Sequence, residues 1–534
     1  MANFKKNISF LEDIENPVAY KVDKLTNNLE VKFDIQYEEN AVFSFHKSND
    51  VLTNTRIFST EKTRESGRTI PAPTIELRKG SHLTFKTSNN LPSAETHKDP
   101  ENINFPYGFN DYNMHTHGLH ISPKSPSDNV CMVLKPGDKF TYEYDIPKDH
   151  PCGVYWYHPH KHGSVAIQVG SGMAGMMIVK GEFDDELEKL GVKEYQLIFQ
   201  SIPADKDGLV EDMSQVFQFP NSEYSILVNG QFCPIIKVNS GEVLNLRLLN
   251  ATTRTSIDFK CPSFAKFYTY SFDGNPLDNY RIQSGVSLGP ANRQSTLVKI
   301  DENATPGSFY YVYNDVVEYQ HLPHYKYHNN SPLFVIAVDK GSDLGSNIHI
   351  PSTTPACTTI PPFPKSLRCD LLKPIQEDEI TNKRTITLQA NTLTDPKKHY
   401  KGLNVSFDHK PFAGCHDVNH IVELDAVEEW TLINESNFAH PIHIHVNPYY
   451  IIEVKGEDPL NHTLELPFWA DTFFVPANGY VKFRTRFKDF TGKYPIHCHL
   501  LYHEDCGMMQ HVEVVDKAEL ETKNKNDDGC KSCH

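Results

Sequence analysis

Four His-x-His pairs punctuate the chain: His115-Thr116-His117, His158-Pro159-His160, His443-Ile444-His445 and His497-Cys498-His499. Neutral imidazole is the commonest protein metal ligand, and on an extended chain residues two apart share a face. Each pair therefore offers two nitrogens to one side. The last pair also encloses a cysteine whose side chain turns to the opposite face. Cys498 is followed by His503 and Met508, so a thiolate, an imidazole and a thioether can close around one metal with a second imidazole from elsewhere. A His2Cys set with a weak axial Met is the ligand preference of copper cycling between Cu(I) and Cu(II) in electron transfer. One strand would then touch two metal sites, with a single peptide unit between them on either side.

Such ligands need rigid scaffolding, and the chain reads as strands. It has 35 prolines, and short Val, Ile, Tyr and Phe runs recur between Gly, Pro, Asn and Asp clusters, the pattern of β-sandwiches. Alternating strands are expected at Leu29 to Ile35, Thr74 to Gly80 and Gly137 to Tyr144 in the first part, followed by the aromatic-rich segment Gly153 to His160. Tyr195 to Gln200, Ser225 to Val228, Glu242 to Leu249 and Gln294 to Ile300 follow in the middle. Arg384 to Gln389, Ile421 to Leu424, Glu429 to Ile433 and Tyr449 to Val454 complete the set. Asn229-Gly230 and Asp273-Gly274 are hairpin-turn dipeptides. Residues 170 to 180 read as a core strand. A polar boundary follows at Gly181 to Glu186, and residues 341–382, rich in Pro, Ser and Thr, read as an extended linker. The length of 534 residues exceeds one core and implies about three or four domains.

At these residues the chain resembles the three-domain multicopper oxidases, the laccase-like family, with all four signature segments in family order. The resemblance implies an all-β protein of three cupredoxin-like Greek-key sandwich domains: 1–185, 190–340 as a spacer without ligands, and 383–520, followed by a polar tail, 521–534. It implies four copper ions. His440, Cys498, His503 and Met508 match the mononuclear type 1 site. His115 and His443 match the type 2 ligands, and His117, His158, His160, His445, His497 and His499 match the type 3 pair. Met at position 508 is the version seen in bacterial, spore-coat and bilirubin-oxidase-like members. Glu504 matches a family carboxylate assigned to proton supply. Asp128 is a second candidate for proton supply, standing where the family has an acidic residue, although the local spacing differs. Cys498 is the expected electron relay, and His162 has no ligand role in the family pattern, so an outer-sphere or surface position is expected.

The implied reaction couples one-electron oxidation of phenols or aromatic amines to four-electron reduction of dioxygen to water. Oxidation of bilirubin-like pigments, or of Cu(I), Fe(II) or Mn(II), is the alternative within the class, and the absence of a long Met-rich insertion weighs against a cuprous specialist. Outside it stands a non-catalytic copper-binding or electron-carrier coat protein. A copper nitrite reductase would leave eight paired histidines unexplained. A net charge of -16 argues against a nucleic-acid partner. No window reaches the roughly 18 to 20 apolar residues of a membrane span, and a monomer is expected. The amino terminus shows no apolar leader, so location stays open between the cell interior, a spore coat and export with the leader absent. Eleven cysteines are too scattered for their pairing to be deduced. The His321 to His328 segment reads as a surface loop, with an accessory metal or substrate loop as the alternative. Cys530-Lys531-Ser532-Cys533-His534 spells a haem-attachment sequence at the end of a polar tail. A tail that scavenges Cu(I) is the expectation there.

Overall fold

The computed structural model describes residues 12–45, 48–93, 100–202, 204–205, 208–209, 226–315, 332–339, 356–392, 403–457 and 465–523. The fold is all-β and cupredoxin-like, and each sheet is drawn from one stretch of chain. In the first stretch a five-stranded sheet, in the order Ala19–Lys21, Ala72–Arg78, Gly175–Lys180, Gly153–His158 and His115–His117, faces a four-stranded one. Between them Phe33, Phe85 and Tyr157 pack edge-on or tilted, with Phe33 and Phe85 centroids 4.9 Å apart. This is the alternation of the strands expressed as a core: Leu83 and Phe85 are buried while Thr84 and Lys86 face outward.

The middle stretch builds a six-stranded sheet from Lys193–Ser201, Val243–Asn250, Arg293–Ile300 and their neighbours, beside a three-stranded sheet with Pro332–Val338 at its centre. Both turn dipeptides form as expected, with positive φ at Asn229, Gly230, Asp273 and Gly274. The last stretch pairs a six-stranded sheet with a five-stranded one, ordered His420–Glu423, Met509–Val515, Gly492–Cys498, His440–Ile444 and Thr472–Val475. The four expected strands there extend over Asn382–Thr392, His420–Glu423, Val427–Asn434 and Tyr449–Lys455.

Two short helices lock the outer stretches together. Val165–Gly170 is buried along its whole length, and Val165, Ile167 and Val169 join the apolar core of the middle and last stretches. Each such side chain contributes about 1.5–3 kcal/mol relative to exposure. Its neighbour is Leu501–Asp505, whose buried Asp505 carboxylate accepts hydrogen bonds from the backbone N–H groups of Gly163, Val165 and Ala166 at 2.7, 3.2 and 2.9 Å. A disulfide, Cys131–Cys415, makes a second tie across a sequence separation of 284.

The segment read as an extended linker is a docked strap where it is described, from residue 356 onward. It makes three 3-10 turns, Lys365–Leu367, Asp370–Leu372 and Glu377–Glu379; the first two bury Leu367 and Leu371, and Ile375 is buried before the third. Arg484 and Arg486 donate to the Ile375 and Lys373 carbonyls. The His321 to His328 and Cys530 to His534 segments lie outside the described residues.

Candidate metal centre

Strand pairing brings the four pairs together. His115 lies opposite His158 in one sheet and His443 opposite His497 in another, and rings from the two sheets stack on one another. His117 stacks on His443 with ring centroids 3.7 Å apart, and His115 on His445 at 3.8 Å. The Nε2 atoms of His160, His445 and His497 form a triangle with edges of 3.1, 3.2 and 3.3 Å. His499 completes the ring beside His117 and His158, at 5.1 and 5.5 Å. Trp156, buried, stacks on His158 at 4.1 Å and closes that wall to water.

Cys498 turns the other way, as strand alternation requires. Its Sγ lies 3.5 Å from His440 Nδ1 and 3.8 Å from His503 Nδ1, and those two nitrogens are 3.3 Å apart. Ser436 Oγ bonds His440 Nε2 at 2.8 Å, fixing which nitrogen faces the sulfur. Met508 is buried in the same core, and its carbonyl accepts the Cys498 N–H at 3.0 Å.

Hydrogen bonding assigns the tautomers. The carbonyls of Pro159 and Asp471 accept from Nδ1 of His158 and His443, at 2.8 and 2.7 Å. The Asp128 carboxylate lies 2.8 Å from His115 Nδ1. A carbonyl only accepts, so in His158 and His443 the proton is on Nδ1 and the lone pair on Nε2, and Asp128 imposes the same on His115 when ionised. The Nε2 atoms of His115, His158 and His443, Nδ1 of His117 and both nitrogens of His499 are buried without a hydrogen-bond partner among the described residues. Burial holds these imidazoles well below the usual histidine range, with neighbouring histidines adding to the effect. His160 and His497 fall to about 4 and His503 to about 3 for the same reason. A set of neutral, inward-facing lone pairs without donors is repulsive by itself and is the form in which imidazole binds metal. Burial likewise pushes the Cys498 thiol up, so a bound cation is what would hold it as thiolate. The donor sets fit a sulfur-nitrogen copper site and an all-imidazole cluster.

Carboxylates frame the cluster. Glu504, fully buried, puts its oxygens 3.3 Å from His160 Nδ1 and 3.0 Å from His497 Nδ1. These are ion-pair distances without hydrogen-bond alignment. Burial raises Glu504 to about 7. Asp128, also raised to about 7 by burial, accepts the Thr116 N–H at 2.9 Å as well as facing His115. His162 is half-buried, its Nε2 3.1 Å from Asn104 Oδ1. Sequence reasoning missed Asp471, Thr472, Arg293 and Asp273, which back His117 and His443. The available signal was a carboxylate inside the apolar run Phe468 to Val475.

Two family models described as multicopper oxidase match residues 108–183 and 382–518. Multicopper oxidase mco of Staphylococcus epidermidis is 24% identical over 97% of this chain and 100% of its own length. The laccase of Bacillus subtilis is 23% identical over 84% of this chain and 89% of its own. A solved multicopper oxidase from Campylobacter jejuni, described as a metallo-oxidase, superposes with a TM-score of 0.70 at 22% identity, covering 94% of this chain and 95% of that one. The chain belongs to the laccase-like multicopper oxidases. It is a copper-dependent oxidoreductase that uses oxygen and a reducing substrate.

Proposed function

We propose that the chain binds four coppers and acts as a laccase-like oxidase of small aromatic reductants. His440, Cys498, His503 and Met508 hold the type 1 ion, His115 and His443 the type 2 ion, and His117, His158, His160, His445, His497 and His499 the type 3 pair. The observation that carries this reading is the convergence of four His-x-His pairs from opposite ends of the chain, with Cys498 inside one of them. The division into 1–185, 190–340, 341–382, 383–520 and 521–534 is supported by sheets that each draw on one stretch. Because one chain supplies every ligand, a monomer suffices.

Copper, when bound, supplies one-electron storage at each ion, matching single-electron donors to dioxygen, which needs four. The protein's part is positioning. The two peptide units of His497-Cys498-His499 give a covalent path between the two donor sets. Asp128 keeps the proton on His115 Nδ1. Glu504 is placed to carry a proton between the Nδ1 edges of His160 and His497, with an affinity suited to neutral pH. Asp505, its neighbour, has its oxygens committed to three backbone N–H groups and serves as a brace.

The half-buried Phe438 ring tilts against His440 and His503 at 4.8 and 5.7 Å. An apolar face beside the electron-entry ligands suits an aromatic reductant. The metallo-oxidase from Campylobacter jejuni supports the second reading, oxidation of Cu(I), Fe(II) or Mn(II). Oxygen consumption by the copper-loaded protein, with a methoxyphenol compared against each metal ion, separates them. Turnover of the phenol that vanishes in Cys498→Ser is expected; metal ions oxidised and phenols ignored would overturn the substrate assignment.

A further inference from the structure

The middle stretch carries no His-x-His pair, yet it sends one side chain to the cluster. Arg293 is fully buried and uses all three side-chain nitrogens as donors. Nε donates to the Val154 carbonyl at 3.1 Å, Nη1 to the Ala291 carbonyl at 3.1 Å and to Asp471 Oδ1 at 2.7 Å, and Nη2 to Asp471 Oδ2 at 2.6 Å. Asp273, at the hairpin turn, lies 3.5 Å from Nη1 and accepts from Arg293 N and from Asn292 Nδ2. It also accepts the backbone N–H groups of Asp471 and Thr472, at 3.3 and 3.2 Å. All three stretches therefore meet at one guanidinium.

The Asp471 oxygen held by Nη1 is the one that faces His117 Nε2, at 3.2 Å. Thr472 Oγ1 donates to that same oxygen at 2.9 Å and has its acceptor side toward His117 Nε2, at 3.3 Å. Both neighbours of Nε2 are acceptors, so His117 carries its proton there and turns Nδ1 inward. His115, His158, His443 and His497 are hydrogen-bonded outward through Nδ1 instead, and Nδ1 of His160 faces Glu504 at 3.3 Å. His117 alone of these six is reversed, and its outer Nε2 is the one within hydrogen-bond distance of the arginine-clamped oxygen, which lies 3.7 Å from His443 Nδ1. Space is reserved for the pair: a Cβ at Gly118 would fall 2.3 Å from Arg293 Nη2 and 2.5 Å from Asp471 Oδ2.

We propose that Arg293 is a positioning residue of the copper cluster, acting through Asp471 to fix His117 as the tautomer that presents Nδ1. The inference rests on His117 being a cluster ligand. Outer partners of metal-binding histidines set tautomer and ring orientation, and losing one weakens metal affinity about 10–100-fold. The bidentate fork is what lysine lacks.

The test is copper affinity by chelator competition, read separately for the blue ion by its visible absorption and for the remaining ions by copper count and paramagnetic resonance. It uses Arg293→Met, Arg293→Lys and Asp471→Asn. Asp471→Asn keeps the shape but sets an amide NH2 against either the arginine or His117, and it decides the matter should Arg293→Met not fold. Cluster copper weakened about 10–100-fold with the blue ion unchanged, and only partial recovery in Arg293→Lys, is the expected result. Equal weakening at both sites, or neither weakened, would reduce Arg293 to an interface brace and overturn the proposal. A wild-type protein that binds no cluster copper would instead refute the ligand assignment itself.

Discussion

Replacing Cys131 and Cys415 with serine removes a cross-link that closes a sequence separation of 284. In the chain-entropy account a loop of that size contributes about 5–6 kcal/mol at 25 °C by restricting the unfolded chain. If the middle stretch stays folded while the outer two separate, the flexible part of the loop is shorter. Each halving of loop length lowers the contribution by only about 0.6 kcal/mol, so about 4–5 kcal/mol survives. The site feels the change as well. Asn113 Nδ2 holds the carbonyls flanking Cys131, at 2.6 and 3.0 Å, while its Oδ1 accepts the His160 N–H at 2.7 Å. The assay is guanidinium unfolding of the copper-free protein, followed by its three tryptophans, for oxidised, thiol-reduced and Cys131→Ser/Cys415→Ser forms. The reduced and serine forms should unfold together, well before the oxidised one. Coincident midpoints for all three would refute the reasoning.

Glu504→Gln should retain its copper and lower oxygen turnover about 10²–10⁴-fold, the usual worth of a positioned acid or base; an oxygen electrode reading at the wild-type rate removes Glu504 from proton supply. Gly118→Ala must adopt φ +85 and intrude on Arg293 and Asp471. A left-handed alanine costs about 1–2 kcal/mol and overpacking about 1–3 kcal/mol more, so denaturant unfolding showing a loss under about 1 kcal/mol would contradict the packing described. His82 sits between Asp145 and Glu143 at 2.7 and 2.8 Å, and its hydrogen bond to Asp145 chiefly raises its proton affinity above the ordinary value. Its contribution is therefore complete below the unfolded value of about 6.5 and is lost as pH rises through the higher folded value. The melting difference between wild type and His82→Gln should shrink from pH ~6 to pH ~9, and a difference that grows with pH would reverse the sign.

The residues that converge were legible because copper chemistry demands particular side chains at particular spacings. The His-x-His pairs, Cys498 and His503 are found converging, and Glu504 lies against two of the histidines. Strand alternation was legible for the same reason: one face is buried. What escaped were single residues whose meaning is made by the third dimension. Arg293 stands at the start of an ordinary strand and Asp273 in an ordinary Asp-Gly turn. Nothing local distinguishes them from surface residues until Asp471, nearly two hundred positions on, is folded against them. The Cys131–Cys415 pairing is hidden likewise, since pairing depends on which loops meet. The linker composition pointed to an extended chain, and its apolar residues, Leu367, Leu371 and Ile375, are what dock it.

The wiring of a sulfur-bound ion to an imidazole-bound cluster by three consecutive residues is tested most directly by counting copper per chain while recording visible and paramagnetic spectra, in wild type and in Cys498→Ser. About four ions are predicted in the wild type, with a blue band and a type 2 signal, and about three in the variant, colourless but with the type 2 signal retained. A metal-saturated wild type that holds a single ion, or a serine variant that stays blue, would contradict it.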